Sequence, residues 1–367
     1  MEDHYPGVHL SATPQLAPMR RVTRADVARL AGVSTAVVSY VVNDGPRPVA
    51  KATATRVRDA MDKLGYLPNA SARALRSGRT ETLGLVLGDS LNPYFTEYTF
   101  ELVKAAAKRG KRLLIGDSRQ DQSIEAEIVA DLVERQVDGL LFASPHSRVE
   151  TEHALGVRGI PGVLIDCPAP VHGQRTVGST AQAGTRELVA HLASHGRRRI
   201  GIIIGDHGFG NPDPRERGWR EALRDAGLPD GPIARVPFTR EGGYAAGLAM
   251  LRNDRDMDAI FASNDLQAIG LVRALHESGV KIPSDMAVGS FDGTEEAAFC
   301  WPPLTVVKQD LPTLASKALD LLSRPAGSEG IHVEVPTSLI TRASCGCDPS
   351  IKPERPPVEM LRRHHIF

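Results

Sequence analysis

The chain has 367 residues, 44 basic and 44 acidic side chains, 41% hydrophobic residues and only 5% aromatic ones. That length suggests two or three domains, and the composition is that of a folded globular protein rather than a disordered chain. No run of about 18 apolar residues is present, which argues against a membrane span; the four cysteines are too few for a disulfide scaffold and fit a reducing cytoplasm.

Residues 1–19 contain two acids, no Lys or Arg, and Pro6, Pro14 and Pro18. They lack the apolar core of a secretory leader and are expected to be disordered. Residues 20–79 then hold twelve basic and four acidic residues, net +8, against −6 for residues 80–367. A basic module on a mildly acidic body suggests a polyanionic partner for the first part only; a solvated charged surface would have the same balance.

The basic module reads as three helices. Val27, Leu30 and Ala31 fall at i, i+3 and i+4 and share a face. Thr23 with Asp26 resembles a capping box, and Gly32 ends the helix. Ser34 can cap a second helix whose pairs 37/41 and 38/42 form the inner side, leaving Thr35, Ala36, Ser39 and Tyr40 mainly outside. A third helix runs from about Lys51 to Leu64, with Val57, Met61 and Leu64 on one face, and stops at Gly65. Two short helices around a glycine turn form the DNA-binding helix-turn-helix, whose second helix enters the major groove. A three-helix protein-interaction module is the competing reading.

The run Val22-Thr23, Asp26-Val27-Ala28, Ala31-Gly32-Val33-Ser34 and Val38-Ser39-Tyr40-Val41-Val42-Asn43, continued by 64–75, resembles the head of the lactose-repressor/galactose-repressor (LacI/GalR) transcription regulators. The resemblance implies that Thr35, Ala36 and Tyr40 face base edges, and that Thr23, Ser34, Ser39 and Asn43 contact phosphates. Phosphate contacts position the head without reading sequence. Better-known members carry larger hydrogen-bonding residues at the first two base-facing places and commonly Arg at the third. Ala36 offers only a methyl contact and Tyr40 one hydroxyl and a ring, so the operator sequence does not transfer from a relative. Residues 69–79 are a short basic, alanine-rich stretch that reads alone as a flexible linker. The resemblance implies a hinge helix in which Leu75 wedges into the minor groove of double-stranded DNA and Arg76 follows.

From Leu83 onward, apolar β-rich runs alternate with helical patterns. Strands are expected at 83–87, 112–116, 139–143, 162–166, 200–204, 259–262 and 287–291. Helices are expected near 95–109, 124–135, 182–194, 215–226, 243–251 and 266–278. That alternation implies parallel sheets covered on both faces, with ligands outside the carboxyl ends of the strands. Asp89, Asp117, Asp166, Asn264, Asp265 and Asp292 cluster there, although Asp117, Asp166 and Asp265 also suit caps and loops.

The same family resemblance extends over about residues 21–345. It is carried in the body by 89–95, 137–140, 195–200, 262–265, 291–293 and 302–309. It implies an α/β fold: an N-terminal all-α helix-turn-helix head plus a two-subdomain, periplasmic-binding-protein-like effector domain with three crossovers. By resemblance, Arg215 (in Arg-x-x-Gly218-Trp219) and Asp292 contact the ligand. Asp166, Asn264 and Phe238 match ligand-contacting positions of some members, and Tyr94 and Phe95 line the mouth near Asp89. Carboxylates and amides suit vicinal hydroxyls, arginine clamps oxygens, and an aromatic ring covers an apolar face. Departures at Gly178-Ser179-Thr180-Ala181 and at Cys167 blur the ligand.

No nucleophile-elbow, metalloprotease or dinucleotide fingerprint occurs, so no catalytic residue, no cofactor and no metal site is expected. Cys345-Gly346-Cys347 is a single pair without the second pair that zinc needs. The last twenty residues have four prolines and no heptads, which argues against a tetramerising coiled coil. The expected layout is 1–19 extension, 20–67 head, 68–79 hinge helix, 80–346 effector-binding and dimerisation domain, and 347–367 disordered tail. The expected protein is a cytoplasmic, nucleoid-associated homodimer that binds a palindromic operator under control of a small molecule, a sugar or related metabolite. A solute-binding protein of transport or chemotaxis, with no DNA role, is the alternative.

Overall fold

The computed structural model describes residues 22–43, 47–67, 78–143, 159–205, 213–325 and 330–347, with only the backbone of Asn43. The chain divides into two compact units, Met1–Gly78 and Arg79–Phe367.

The first unit contains α1 (Arg24–Ala31), α2 (Thr35–Asn43) and α3 (Lys51–Leu64). Thr23 and Asp26 form a reciprocal capping box at the start of α1, and Gly32 ends that helix at φ 63°. The Ser34 hydroxyl accepts the Val37 N–H at 3.4 Å and so caps α2. Gly65 ends α3 at φ 63°. Val27, Ala28, Ala31, Val38, Val57 and Ala60 form the core. Two expectations need correction. Leu30 is 53% exposed: the buried line is centred on Val27, Ala28 and Ala31, and at 100° per residue Leu30 points about 110° away. By the same geometry Val37 lies beside the stripe of Val38, Val41 and Val42 rather than within it.

The second unit has two lobes. One is a parallel sheet built from β1 (Thr82–Leu87), β2 (Arg112–Asp117), β3 (Leu140–Ala143), β4 (Gly162–Leu164), β5 (Thr176–Ser179) and β11 (His332–Val335), in the order β11-β5-β4-β3-β1-β2. Among the described residues, three helices cover it: α4 (Pro93–Lys108), α5 (Gln122–Glu134) and α11 (Leu311–Leu322). The other sheet has the order β12-β10-β9-β8-β6-β7, from β6 (Ile200–Ile204), β7 (Ile233–Arg235), β8 (Ala259–Ala262), β9 (Ala287–Asp292), β10 (Thr305–Lys308) and antiparallel β12 (Ser338–Ile340). Around it lie α6 (Ala181–Ser194), α7 (Pro214–Asp225), α8 (Arg240–Asn253), α9 (Asp265–Glu277) and the short α10 (Glu295–Phe299).

Strand periodicity explains the two-faced cores. Leu83, Leu85 and Leu87 join Tyr98, Leu102 and α11 on one face. Val86 joins Leu132, Leu140 and Phe142 on the other. In the second sheet Ile200, Ile202 and Ile204 meet Leu188 and Trp219, while Ile203 meets Met250 and Leu271.

Among the described residues, the chain passes between the sheets three times: at Thr180, at 309–310 and at 336–337. The first and third crossovers are bonded together, since the Thr337 N–H donates to the Thr180 hydroxyl at 3.0 Å. β5, β7, β10, β11, β12, α10 and α11 add to the elements expected from the sequence. No single helix among the described residues is long and apolar enough to cross a membrane.

Candidate functional site

In the head, Thr35 and Ala36 are exposed at the start of α2, and Ser39 and Tyr40 are half-buried one turn later on the same side. Thr23 and Ser34 are exposed, and their hydroxyls serve the caps described above. Asn43 ends α2, with its side chain outside the described residues. Leu75 and Arg76 also lie outside them, as does most of the expected hinge.

In the body, Arg215 sits in the first turn of α7. The Asp213-Pro214 pair starts that helix, with Asp213 as N-cap and Pro214 at its first position. Gly218 lets α7 press against α6, because a Cβ there would stand 2.2 Å from the Gln182 carbonyl oxygen. Trp219 fills the core behind it and donates its indole N–H to the Ile200 carbonyl at 3.1 Å. The Arg-x-x-Gly-Trp run is therefore a positioning device: the last two residues fix the helix that carries the first.

The Arg215 guanidinium forks onto Asp213, with Nε to Oδ1 at 3.0 Å and Nη2 to Oδ2 at 2.8 Å. Nη1 donates to the Ser263 carbonyl at 2.8 Å. The cation lies over the rings of Phe238 at 5.2 Å and Phe291 at 5.5 Å. Phe238 in turn packs closely against Gly205, where a Cβ would stand 1.9 Å from the ring. Burial disfavours the Arg215 charge, but Asp213, Asp292 and Asp166 together hold its pKa above the ordinary value.

Asp292 ends β9 in the left-handed region, at φ 105°. Its carboxylate accepts the Gln309 side-chain N–H at 3.1 Å, and its carbonyl accepts the Gln309 backbone N–H at 3.1 Å. Burial, helped by the charge of Asp265, pushes this carboxyl well above the usual range, while Arg215 opposes the shift. From the first lobe, Tyr94 is buried and its hydroxyl donates to Asp166 at 2.9 Å, with the Gln309 side-chain oxygen 3.3 Å away. Burial and the Asp166 charge raise the phenol pKa. Asp166 itself is exposed and left-handed at φ 54°. Tyr94 of one lobe and Asp292 of the other thus both bond Gln309 of the second crossover, Asp166 bonds Tyr94, and Arg215, stacked with Phe238, feels the charges of Asp292 and Asp166.

Three expected residues stand differently. Asn264 is buried as the N-cap of α9: its oxygen accepts the Gln267 N–H at 2.9 Å and its amide donates to the Phe238 carbonyl at 3.3 Å. It therefore positions the Phe238 loop. The Asp89 carboxylate turns back onto the Leu91 N–H at 3.0 Å. Phe95 packs against the first-lobe core, edge-on to Tyr94 at 5.1 Å. Asp265 belongs to the framework, since its carboxylate accepts from Ser290 and Thr294. Asp213 and Gln309 are site residues the sequence reading did not single out. The Asp-Pro start of a helix was the available signal for Asp213, and Gln309 stands at the end of the resemblance run 302–309.

A helix-turn-helix head and a two-lobed α/β body with convergent polar groups between its lobes are the architecture of a DNA-binding transcription regulator. The pattern of the lacI family of bacterial regulatory proteins matches residues 23–69, and that of periplasmic binding protein-like domains matches residues 189–345. The HTH-type transcriptional regulator GalR of Salmonella typhimurium is 33% identical over 331 residues, 88% of this chain and 95% of its own length. Among solved structures, the Lac repressor dimer bound to operator and the anti-inducer ONPF superposes with a TM-score of 0.78 at 26% identity, covering 89% of this chain and 99% of that one. A complex of the transcriptional regulator CelR with cellobiose superposes with a TM-score of 0.64 at 29% identity, covering 88% and 100%. The chain belongs to the lacI family of bacterial regulatory proteins.

Proposed function

We propose that the protein is a homodimeric repressor that binds a palindromic operator in the cytoplasm and is controlled by a small polyhydroxylated ligand, a sugar or a close relative. The observation that carries this reading is the bonding around Gln309. One crossover amide touches Tyr94 of the first lobe and Asp292 of the second. A ligand that takes up these same atoms changes what joins the lobes, and so biases their arrangement. Asp292, Asp166 and Gln309 suit hydroxyl groups, Arg215 suits oxygen pairs, and Phe238 offers a ring face. The cellobiose bound by one structural relative supports a sugar.

Dimerisation is supported by apolar side chains left in solvent on the first lobe. Phe100 is 62% exposed and Val103 43% on α4, and Leu114 and Ile115 are 38% and 50% exposed on the edge strand β2. Such an edge asks for cover. A two-fold dimer brings two heads to a symmetric site. Thr35, Ala36 and Tyr40 are assigned to base edges; Thr23, Ser34, Ser39 and Asn43 to phosphates; and Leu75 with Arg76 to the minor groove. A solute-binding protein would share the body but would have no use for the capped, basic head.

Selection of bound sequences from a random duplex pool tests the reading. A recovered two-fold symmetric sequence, bound well above random DNA at two salt concentrations, is the expected result. Weak, steeply salt-dependent and sequence-blind binding, persisting after metabolite pools are added, would overturn it.

A further inference from the structure

The end of the second lobe away from the crossovers holds a group of side chains that the ligand cleft does not use. α6 starts at the first crossover, runs the length of the lobe, and ends with His191 and its C-cap His195 one turn apart. They share a face, and their rings meet edge-on with centroids 4.6 Å apart. After β12 the chain makes a 3-10 turn, Ala343–Cys345, and Gly346 reverses it at φ 99°. That reversal brings the Cys347 sulfur to the same side as Cys345.

His191 Nε2 is 3.3 Å from Cys345 Sγ and 3.4 Å from Cys347 Sγ, and His195 Nε2 is 3.4 Å from Cys347 Sγ. One donor atom from each of the four residues lies within 4.8 Å of every other. Hydrogen bonding accounts for only part of this. An imidazole Nε2 carries at most one proton, yet that of His191 faces two sulfurs. Four lone-pair atoms converging on one point is the arrangement a cation organises. In a tetrahedral zinc site, Zn–N near 2.0–2.1 Å and Zn–S near 2.3 Å place N and S about 3.5 Å apart, close to the three separations here. Two thiolates with two imidazoles suit a borderline-soft ion and not calcium or magnesium.

We propose that His191, His195, Cys345 and Cys347 bind one zinc ion per chain. Four protein ligands leave no open position, so the site is structural rather than catalytic. Binding replaces two thiol protons by the ion, which leaves the site neutral and releases both protons to solvent. Cys345 is buried in the second-lobe core, and Thr180 and Thr337 already tie the start of α6 to the third crossover. The ion fastens the other end of α6 to the segment that follows β12, so the helix and the last strand move as one piece. In sequence the cysteine pair stands alone; the fold supplies the second pair from 154 positions earlier.

The test uses the full chain, purified under reductant without a histidine tag, loaded with zinc and dialysed. Elemental analysis is expected to give one zinc per chain. Cobalt substitution is expected to give thiolate charge-transfer bands and the visible bands of a tetrahedral ion. Cys347→Ser lies at a partly buried position against the edge of the core and His195→Gln at an exposed one, and each is expected to lose the ion while keeping the native circular dichroism. His364→Ala/His365→Ala, in the tail, is expected to keep it. A reduced wild-type chain that holds no zinc and gives no cobalt charge transfer would overturn the proposal. So would an ion retained by both site variants, or one lost with the tail histidines.

Discussion

Asp292 holds a backbone conformation, φ 105°, that costs a non-glycine residue of order 1–3 kcal/mol. The strain is kept where the side chain meets the lobe junction, and it ends there, since Gly293 follows at φ 74° against Lys308. Burial, Asp265 and Asp166 push the Asp292 carboxyl up, with Arg215 in opposition. A ligand whose hydroxyls donate to Asp292 binds the ionised form better. Effector affinity is therefore expected to fall as pH drops through the raised pKa, with protons released on binding in the transition range. Titration calorimetry in buffers of different ionisation enthalpy reads this directly; affinity flat with pH would remove Asp292 from the contact. Asp292→Ala is expected to abolish the effector response while operator binding persists, and unchanged effector affinity would contradict that. Trp219 is fully buried with its N–H bonded, so Trp219→Ala is expected to cost about 3–5 kcal/mol of stability, read as a shift in denaturant midpoint. Arg215 and Asp292 were legible as site candidates because short family motifs carry them. Asp213 was legible only as the cap of an Asp-Pro helix start; nothing in the sequence pairs it with Arg215 until that start orients both. Asn264 shows the reverse limit. The resemblance implies a ligand contact there, while the fold adds roles the sequence did not show: its oxygen caps α9 and its amide N–H bonds the Phe238 carbonyl.

Among the elements, the sequence told most where the periodicity was long or the caps were strong. The three head helices, β1, β2, β6, β8 and β9, and the six long helices from α4 to α9 follow from apolar spacing and flanking turns. β7 and β12 have three residues each and β5 contains glycine and serine, so none of these three offers enough alternation to stand out. β11 does alternate, Val333 and Val335 against His332 and Glu334, and could have been read. The same holds for α11, where Leu311, Leu314, Ala315, Ala318, Leu319 and Leu322 recur at helical spacing. One tie between elements has a testable consequence. The Asp138 carboxylate accepts from the Thr80 N–H at 2.7 Å, the Glu81 N–H at 3.1 Å and Lys111 Nζ at 2.9 Å. It anchors the first residues of the body. Burial raises its pKa, but Lys111 and the Thr80 N–H outweigh this and leave it below the ordinary value. A lowered carboxylate pKa stabilises the fold above the unfolded value of about 3.9, and that share is lost as pH falls through the folded value. Asp138→Ala is expected to cost about 1–3 kcal/mol at neutral pH and to flatten the stability profile below pH about 4. An unchanged acid limb would show that the tie contributes nothing.

At the scale of the molecule, two lobes share three crossovers and a small set of bonds. Beyond Gln309, Glu97 of α4 accepts the Glu295 N–H at the start of α10 at 2.9 Å, again from one lobe to the other. On the proposed reading, a ligand between the lobes acts on these links and the head senses their arrangement. Leu75, assigned to the minor-groove wedge, serves only a kinked site. Leu75→Ala is expected to weaken operator binding at least tenfold more than binding to random DNA, and equal losses on both would sink the wedge. The two-lobed body was legible from the βαβ alternation and the family motifs together. Three crossovers were implied by the resemblance, but where they fall was not legible, because crossovers of one or two residues carry no periodicity. The proposed coupling between cleft and operator is reciprocal. The most direct measurement takes the metabolite that raises the thermal midpoint of the free protein and compares its affinity with and without saturating operator. The two affinities are expected to differ, and by the same factor by which the metabolite changes operator affinity. Equal affinity in the two states would mean that the cleft binds a ligand the DNA-binding head never senses.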